Sequence, residues 1–430
     1  MEVMSVKSES ALRPSREGAL HGQPLLLLAV LTLYNGANAL SGVFVPVYLF
    51  KANQSYALVG WFSLLQYAAG GLCVYLAGSW VKRKGLVASL RTGIALSGGF
   101  YMAVLLLSGK AAAWAAPLGL LNGTAGGFYW LAYNVLYFEI TEKDNRDAYN
   151  GMAGLLGSAV GMAAPFLSGL VIAGSGGNKG YTVIFSVSLA LFGAAALLSA
   201  KIRKRPPQGR YRWSFPAAEL RQRASPWRRF APAIVLQGLR DGVFLFVLGL
   251  AIYASTGAEQ KVGTYYLVTS LVGMAAFWLC GRKLGPERRR AGMLVGTLAL
   301  AAVLLPLLGG MTYSSLLLVG IGTALFSPLY LIPITSSVFD LMGRCEEAAA
   351  SRVELTVLRE LALTAGRLVG VLAFIYIAGR SAPDSLAFAW LLLALGAAPI
   401  AGWAFIRDRL RPEDSAVRTA DPDGHARRRG

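Results

Sequence analysis

Three ionisable residues interrupt stretches that are otherwise apolar: Arg240 and Asp241 in one, Arg367 in another. At bilayer depth a charged side chain costs on the order of 3 kcal/mol on insertion scales. Such groups persist where they face a bundle interior or a watery cavity, so these three mark a polar path through a membrane. Adjacent residues on a helix point about 100° apart, so Arg240 and Asp241 make a poor pair and at least one is expected to meet another element. Asp241 is the first candidate for a group that takes up and releases a proton. Burial favours its neutral form, and Arg240 or Arg367 favours its charged form. A static ion pair holding two parts of the chain together is the other reading.

Other polar residues fall at helical spacing. Tyr34, Asn35, Asn38 and Ser41 form one stripe, and Asn122, Tyr129, Trp130, Tyr133, Asn134 and Tyr137 a second. Gln237 and Asp241 form a third, one turn apart, and Ser327, Tyr330 and Ser337 a fourth. Spacings of three and four place each set on one face. Amides, hydroxyls and aromatic rings together suit an amphiphilic organic ligand, although tyrosine and tryptophan also serve simply as packing between helices. Glu360 lies seven residues before Arg367, on the same face and two turns away.

The elements that must position these groups are membrane helices. The chain of 430 residues is 55% hydrophobic and only 15% charged, too little polar surface for a soluble domain of this size. Apolar runs of about 20 residues, enough to cross a bilayer, recur near 24–50, 57–81, 86–108, 112–138, 151–173, 181–200, 231–254, 262–281, 291–311, 314–338, 356–378 and 386–406. With the N-terminus inside, only Lys51, Lys110, Lys179, Lys261 and Arg380 of the 41 Lys and Arg fall in outside loops, and only Arg91, Arg240 and Arg367 fall more than a turn inside spans, Arg359 lying at the cytoplasmic edge of its span. This positive-inside asymmetry places both termini in the cytoplasm of a multi-pass cell-membrane protein. It also accounts for the net charge of +19 without nucleic acid as a partner. Ala37-Asn38-Ala39 has the form of a signal cleavage site, but the apolar run continues to Phe50, so an uncleaved first span is expected. The three cysteines form no CxxC pair, and His21 and His425 are the only histidines. Neither a metal centre nor a histidine-based enzyme is expected. No Gly-x4-Gly-Lys-Ser/Thr loop is present, so the chain does not hydrolyse nucleotide for itself, and no cofactor is implied.

The chain divides at 201–230, which carries ten Lys or Arg against Glu219, with Trp213, Phe215, Trp227 and Phe230 interleaved. This stretch reads either as lying on the anionic inner leaflet or as a solvated linker. The expected parts are a cytoplasmic tail 1–22, a six-helix bundle 23–200, the linker 201–230, a second bundle 231–410 and a disordered tail 411–430. The bundles repeat. Gly42-Val43-Phe44 recurs as Gly242-Val243-Phe244, Val59-Gly60 as Val262-Gly263, and Leu76-x-Gly78 as Leu279-x-Gly281. Gly123-Thr124-Ala125 recurs as Gly322-Thr323-Ala324, and Phe138-Glu139 parallels Phe339-Asp340. Repeat-built carriers place their substrate site at mid-membrane between the halves.

Twelve spans, a 6+6 repeat and a basic middle loop resemble the major facilitator superfamily over roughly residues 22–410. The best local marker lies between spans 2 and 3, where that family carries Gly-x-Leu-Ala-Asp-Arg-x-Gly-Arg-Lys. Here the run is Gly78-Ser79-Trp80-Val81-Lys82-Arg83-Lys84-Gly85. Gly78, Arg83 and Gly85 fit, and Lys82 stands at the aspartate position, so the family's latch of the inside gate must be built differently. Gly281-Arg282-Lys283-Leu284-Gly285 is a weaker second copy. The span-4 motif is matched by Asn122-Gly123-Thr124-Ala125-Gly126, with Gly119 where the family has an arginine linked to proton coupling. Gly157, Gly161, Pro165 and Gly169 resemble an antiporter motif of span 5, a vote for export, and also suit plain close packing. Gly366-x-x-x-Gly370 in span 11 favours packing.

The resemblance implies an all-α membrane fold of two pseudo-symmetric six-helix bundles, with spans 1, 4, 7 and 10 lining a cavity. It implies a monomeric secondary transporter that moves a small organic or amphiphilic solute by alternating access, with protons as the coupling ion and export favoured. The residues expected at the cavity are Tyr34, Asn35, Asn38, Trp130, Tyr133, Asn134, Gln237, Arg240, Asp241, Tyr330 and Arg367. The expected gate comprises Gly78, Lys82, Arg83, Gly85, Glu139, Asp340, Glu354, Arg359 and Glu360, with Glu139 and Asp340 in salt bridges that break and remake. Lipid or glycolipid translocation on the same fold, and a non-transporting sensor or scaffold that docks a partner on the basic loop, are the alternatives.

Overall fold

The computed structural model describes residues 22–141, 143–176, 178–204, 210–343, 351–381 and 385–410. Both expected tails, apart from Gly22, and part of the linker lie outside the described residues. Twelve long helices cross the molecule: α1 Gln23–Asn53, α2 Tyr56–Lys84, α3 Leu86–Leu107, α4 Ala115–Ile140, α5 Lys143–Gly174, α6 Asn178–Ser199, α7 Trp227–Thr256, α8 Glu259–Lys283, α9 Arg289–Ala302, α10 Tyr313–Gly343, α11 Arg352–Ala378 and α12 Leu386–Ile406. Eleven are apolar enough to span a bilayer by hydropathy alone. The exception is α4, whose asparagines, tyrosines and tryptophan dilute its apolar residues. A polar stripe thus hides a span that the fold requires.

Local chemistry sets the breaks. The ladder of α1 is interrupted at Gly42 and Val43, because Pro46 offers no N–H to the carbonyl four residues earlier. The span expected to run straight from 24 to 50 is therefore two segments. Pro306 similarly ends α9 early, and the chain continues as a 3-10 turn, Leu305–Gly309. Gly85 closes α2 at φ 90° and opens α3 directly, a backbone conformation that a side chain disfavours. Ser55 and Ser385 cap α2 and α12 by accepting the N–H of Leu58 and Phe388.

The main pairings of the first six helices recur six helices later. The contacts α2/α4, α3/α4, α1/α5, α1/α6 and α3/α6 are matched by α8/α10, α9/α10, α7/α11, α7/α12 and α9/α12. The match extends to side chains. Gly93 on α3 presses on Tyr129 of α4, and Gly296 on α9 presses on Leu329 and Tyr330 of α10. The halves meet along two seams, α2/α11 and α5/α8.

Small residues make the close crossings, first within the second half. Gly238 and Gly242 on α7 face Leu363 and Arg367 of α11, while Gly366 and Gly370 on α11 face Val235 and Leu239 of α7. The four glycines sit at i, i+4 in both helices and let the backbones touch. The packing reading of Gly366-x-x-x-Gly370 is the one the structure bears out. In α5, Gly169 packs on Glu259, Gln260 and Gly263, and Pro165 on Gly263, but Gly151, Gly154 and Gly157 meet nothing. On α8, Gly281 also meets nothing. Across the α5/α8 seam the Ser270 hydroxyl bonds the Gly161 carbonyl at 3.1 Å. The α2/α11 seam is in contact from Gly60 against Phe374 and Ile375 to Lys82 against Glu354.

Most of the described linker residues are exposed, while several of its aromatic residues pack on the bundles. Trp227 and Phe230 are buried, and Tyr211 lies against Gly78. Trp213 bridges Tyr75 and Tyr211 edge-to-face at 5.2 and 4.8 Å.

A Cβ at Gly366 would overlap the Val235 backbone, which cannot move aside as a side chain can. Gly366→Val is therefore expected to cost more than the about 1–3 kcal/mol of a typical overpacked core, read as loss of monodisperse protein and a lowered Tm. Gly193→Ala, where nothing lies within 4 Å, should leave both unchanged.

Candidate functional site

Where α7 crosses α11, Gly242 brings the Arg367 backbone into contact with α7. This close approach sets Arg240, Asp241 and Arg367 at neighbouring levels. Arg240 Nη1 stands 3.6 Å from Asp241 Oδ1, too long for a hydrogen bond, as adjacency on a helix demands. The Gln237 amide donates to Asp241 Oδ2 at 3.4 Å. The Arg240 side chain is 8% exposed and that of Asp241 22%, so the carboxylate is the wetter of the two. The Arg240 guanidinium lies 4.8 Å from the Phe244 ring and that of Arg367 lies 5.4 Å from the Tyr67 ring. Tyr67 belongs to α2, so the first half also closes on the charges, within electrostatic reach of Arg367 and Asp241. Tyr330 is fully buried beside Arg240 and Asp241, and Tyr265 lies near Arg240. Helices from both halves therefore converge on this seam.

The first-half candidates gather elsewhere, in an aromatic column. Tyr34 stacks on Tyr129 at 3.4 Å, and Tyr129 on Tyr133 at 6.1 Å. Trp130 stands edge-on to all three and is 39% exposed. The hydroxyls of Tyr133 and Tyr149 are 3.3 Å apart. Asn38 donates to the Tyr34 carbonyl of its own helix at 2.9 Å, bracing α1 just before its break. Asn35 and Asn134 are half-buried. Tyr67, Tyr129, Tyr149 and Tyr265 were not singled out as site residues. Only the repeat pointed to one of them, since Tyr129 occupies the position of Tyr330.

The gate departs from expectation. Asp340 pairs with Arg289 of its own half at 2.9 Å and is exposed. Arg359 pairs with its neighbour Glu360 at 2.6 Å. Glu139 is half-buried at the end of α4, while Arg83 is exposed. The expected bridge that crosses the halves is Lys82 to Glu354, at 3.7 Å with side chains 10% and 2% exposed. The lysine at the family's aspartate position therefore pairs with an acid across the seam. Arg212 of the linker adds its backbone N–H to Glu354 at 3.3 Å and its guanidinium to Ser351. Burial pushes the Tyr211 hydroxyl above its ordinary range, with Tyr75 and Glu354 adding to the shift, so it stays a neutral wedge on Gly78.

A second inter-half pair lies at the opposite face. Lys51 of α1 meets Glu259 of α8 at 2.8 Å, and the Tyr181 hydroxyl donates to the same oxygen at 3.3 Å. Sequence reasoning passed over this pair by treating Lys51 only as a loop charge. The signal was available, because acidic residues are rare in the loops of that face.

Reversing Lys82 to Glu places like charges in a buried site, a change of the kind that costs several kcal/mol. K82E is expected to speed hydrogen exchange across residues 352–360 by at least about tenfold, and the double reversal with E354K to return it toward the parent rate. Exchange unchanged in K82E would show that the pair closes nothing.

The sequence profile of the Major Facilitator Superfamily matches residues 26–351. The uncharacterised protein YqgE of Bacillus subtilis (strain 168) is 37% identical over 405 residues, 94% of each chain. An uncharacterised protein encoded in the sodM 3' region of Geobacillus stearothermophilus is 36% identical over 186 residues, 43% of this chain and 86% of that one. Among solved structures, the D-xylose-proton symporter superposes with TM-score 0.66 at 12% identity, covering 91% of this chain and 97% of that one. A bacterial homologue of the iron transporter ferroportin, in its outward-facing state, superposes with TM-score 0.65 at 15% identity, covering 91% and 99%. At these identities the structures speak for the fold alone, and the profile speaks for the family: this chain belongs to the Major Facilitator Superfamily.

Proposed function

We propose that this transporter moves a small organic or amphiphilic solute across the cell membrane by rocking its two bundles, which meet along α2/α11 and α5/α8, around the charged cluster beside the α7/α11 crossing. Proton coupling acts through Asp241 and export is the favoured direction. The observation that carries this reading is the convergence of five helices from both halves on three ionisable groups inside apolar spans. A static core gains nothing from a carboxylate that sits wetter than its arginine and fails to bond it. The bundles 23–200 and 231–410 are the moving units, with linker 201–230 and both termini on the cytoplasmic face, where the basic residues lie. The residues 210–215 then dock on the gate rather than on lipid. Lys82–Glu354 closes the cytoplasmic side and Lys51–Glu259 the other.

The ferroportin homologue's iron does not carry over to this reading. Among the described residues no group of three or more His, Cys, Asp or Glu is placed to hold a metal ion, and the seam holds two cations against one anion. Export rests on the span-5 glycines, of which Gly169 serves packing while Gly157 lies open.

Lipid or glycolipid translocation is the second reading. It is favoured by the exposed Met274 and Phe277 on α8 and by the open glycine faces of α5 at Gly151, Gly154 and Gly157. Fluorescent-lipid scrambling in proteoliposomes above the protein-free rate would move the assignment to it.

Asp241→Asn should abolish pH-gradient-driven net transport, by at least about tenfold, while leaving solute exchange intact. The measurement is flux in proteoliposomes of a solute chosen by thermal-shift screening. Driven flux at the parent rate would remove Asp241 from coupling.

A further inference from the structure

We propose that the α7/α11 seam recognises an organic anion, whose carboxylate or phosphate group is held by Arg240 and Arg367. The proposal rests on reading this seam as the solute site and adds the chemical class of that solute. It starts from unmatched donors. Each guanidinium carries five N–H donors and no acceptor. Nε of Arg240, Nε of Arg367 and the hydroxyl of Tyr330 are all buried without a hydrogen-bond partner. Native interiors leave few such groups, and a charged one is the most costly. Asp241 does not satisfy them. Gln237 already donates to one of its oxygens, and Arg240 approaches the other only to 3.6 Å. Glu360, the next carboxylate along α11, is engaged by Arg359 at 2.6 Å.

Charge points the same way as hydrogen bonding. Two guanidiniums stand near the crossing with one carboxylate, and the other titratable groups beside them, Tyr67, Tyr265 and Tyr330, are neutral phenols at ordinary pH. The aromatic rings at 4.8 and 5.4 Å steady the two cations without neutralising them. A bound anion balances the seam and supplies the missing acceptors, whereas a cation adds a third positive charge. The planar fork of arginine matches carboxylate and phosphate oxygens two at a time. Lysine would serve a merely electrostatic role as well, so the presence of two arginines is informative.

The test uses four probes that share one ring and differ in charge: benzoate, phenyl phosphate, benzylamine and benzyl alcohol. Each is titrated against the full chain in nanodiscs at fixed pH, with thermal unfolding as the readout. Benzoate or phenyl phosphate should raise the Tm saturably while the other two do not, and the tighter of the pair identifies the head group. Arg367→Gln and Arg240→Gln should each weaken that binding at least tenfold. Arg367→Lys keeps the charge without the fork and should fall between. It serves as the control should the neutral variants fail to fold. Equal stabilisation by benzylamine or benzyl alcohol, no response to either anion, or anion binding unchanged in Arg367→Gln would overturn the proposal. The transporter reading fails separately. An anion that binds but is never carried leaves this site standing without transport, and a cation driven across by a proton gradient does the reverse.

Discussion

The backbone-to-backbone crossing of α7 and α11 is the constraint from which the rest follows. Gly238, Gly242, Gly366 and Gly370 remove every side chain that would hold the helices apart. In a bilayer such contact is favoured by packing and not by escape from water, because lipid is as apolar as leucine. Once the helices touch, Arg240, Asp241 and Arg367 have nowhere to go but the space beside the crossing. Charges that would otherwise have to reach toward the interface are fixed at depth by glycines that carry no chemistry of their own.

Fixing the charges at depth leaves the ends of the helices to govern access. One ion pair joins the halves at each face: Lys82–Glu354 at 3.7 Å and Lys51–Glu259 at 2.8 Å. Each takes one residue from each half, and both are formed in this structure. The pairs differ in surroundings. Lys51 is 36% exposed, and its partner is shared with Tyr181. Glu354 is nearly dry and also serves the Arg212 N–H and, through Lys82, the α2 end. A buried pair is costly to open unless its charges find water or new partners at once. The linker supplies the cover on that side, with Tyr211 filling the hollow over Gly78 that any larger residue would occupy.

The architecture was legible in the sequence because bilayer thickness is a blunt ruler. Twelve runs of the right length, one sign of charge on one face and a repeat offset near 200 left little freedom. Boundaries suffered where proline acted, at Pro46 and Pro306, since a missing N–H interrupts a helix without altering its hydropathy. The charges of α7 and α11 were found because they are improbable where they stand. Their neighbours Tyr67 and Tyr265 were not, because a tyrosine in an apolar helix looks the same whether it packs or faces a guanidinium. Asp340, expected in a gate salt bridge, pairs with Arg289 of its own half, so the repeat identified its position without identifying its partner. Sequence symmetry reports equivalent positions, not contacts between them.

That symmetry also shows where the halves have diverged. Tyr129 and Tyr330 occupy equivalent sites, both buried, both pressed by a glycine and both with hydroxyls lacking a partner. Around Tyr129 the first half has built rings: Tyr34, Trp130, Tyr133 and Tyr149. Around Tyr330 the second half has built charge: Arg240 and Asp241, with Arg367 across the crossing. Position 38 of α1 is an asparagine spent on its own backbone, and its counterpart 238 is a glycine that admits α11. One repeated frame thus carries an aromatic column in its first half and an ionic cluster in its second. On the reading proposed above, the ionic cluster takes the solute's charged end, and Trp130, 39% exposed at the edge of the buried ring column, is the ring left to meet its apolar body.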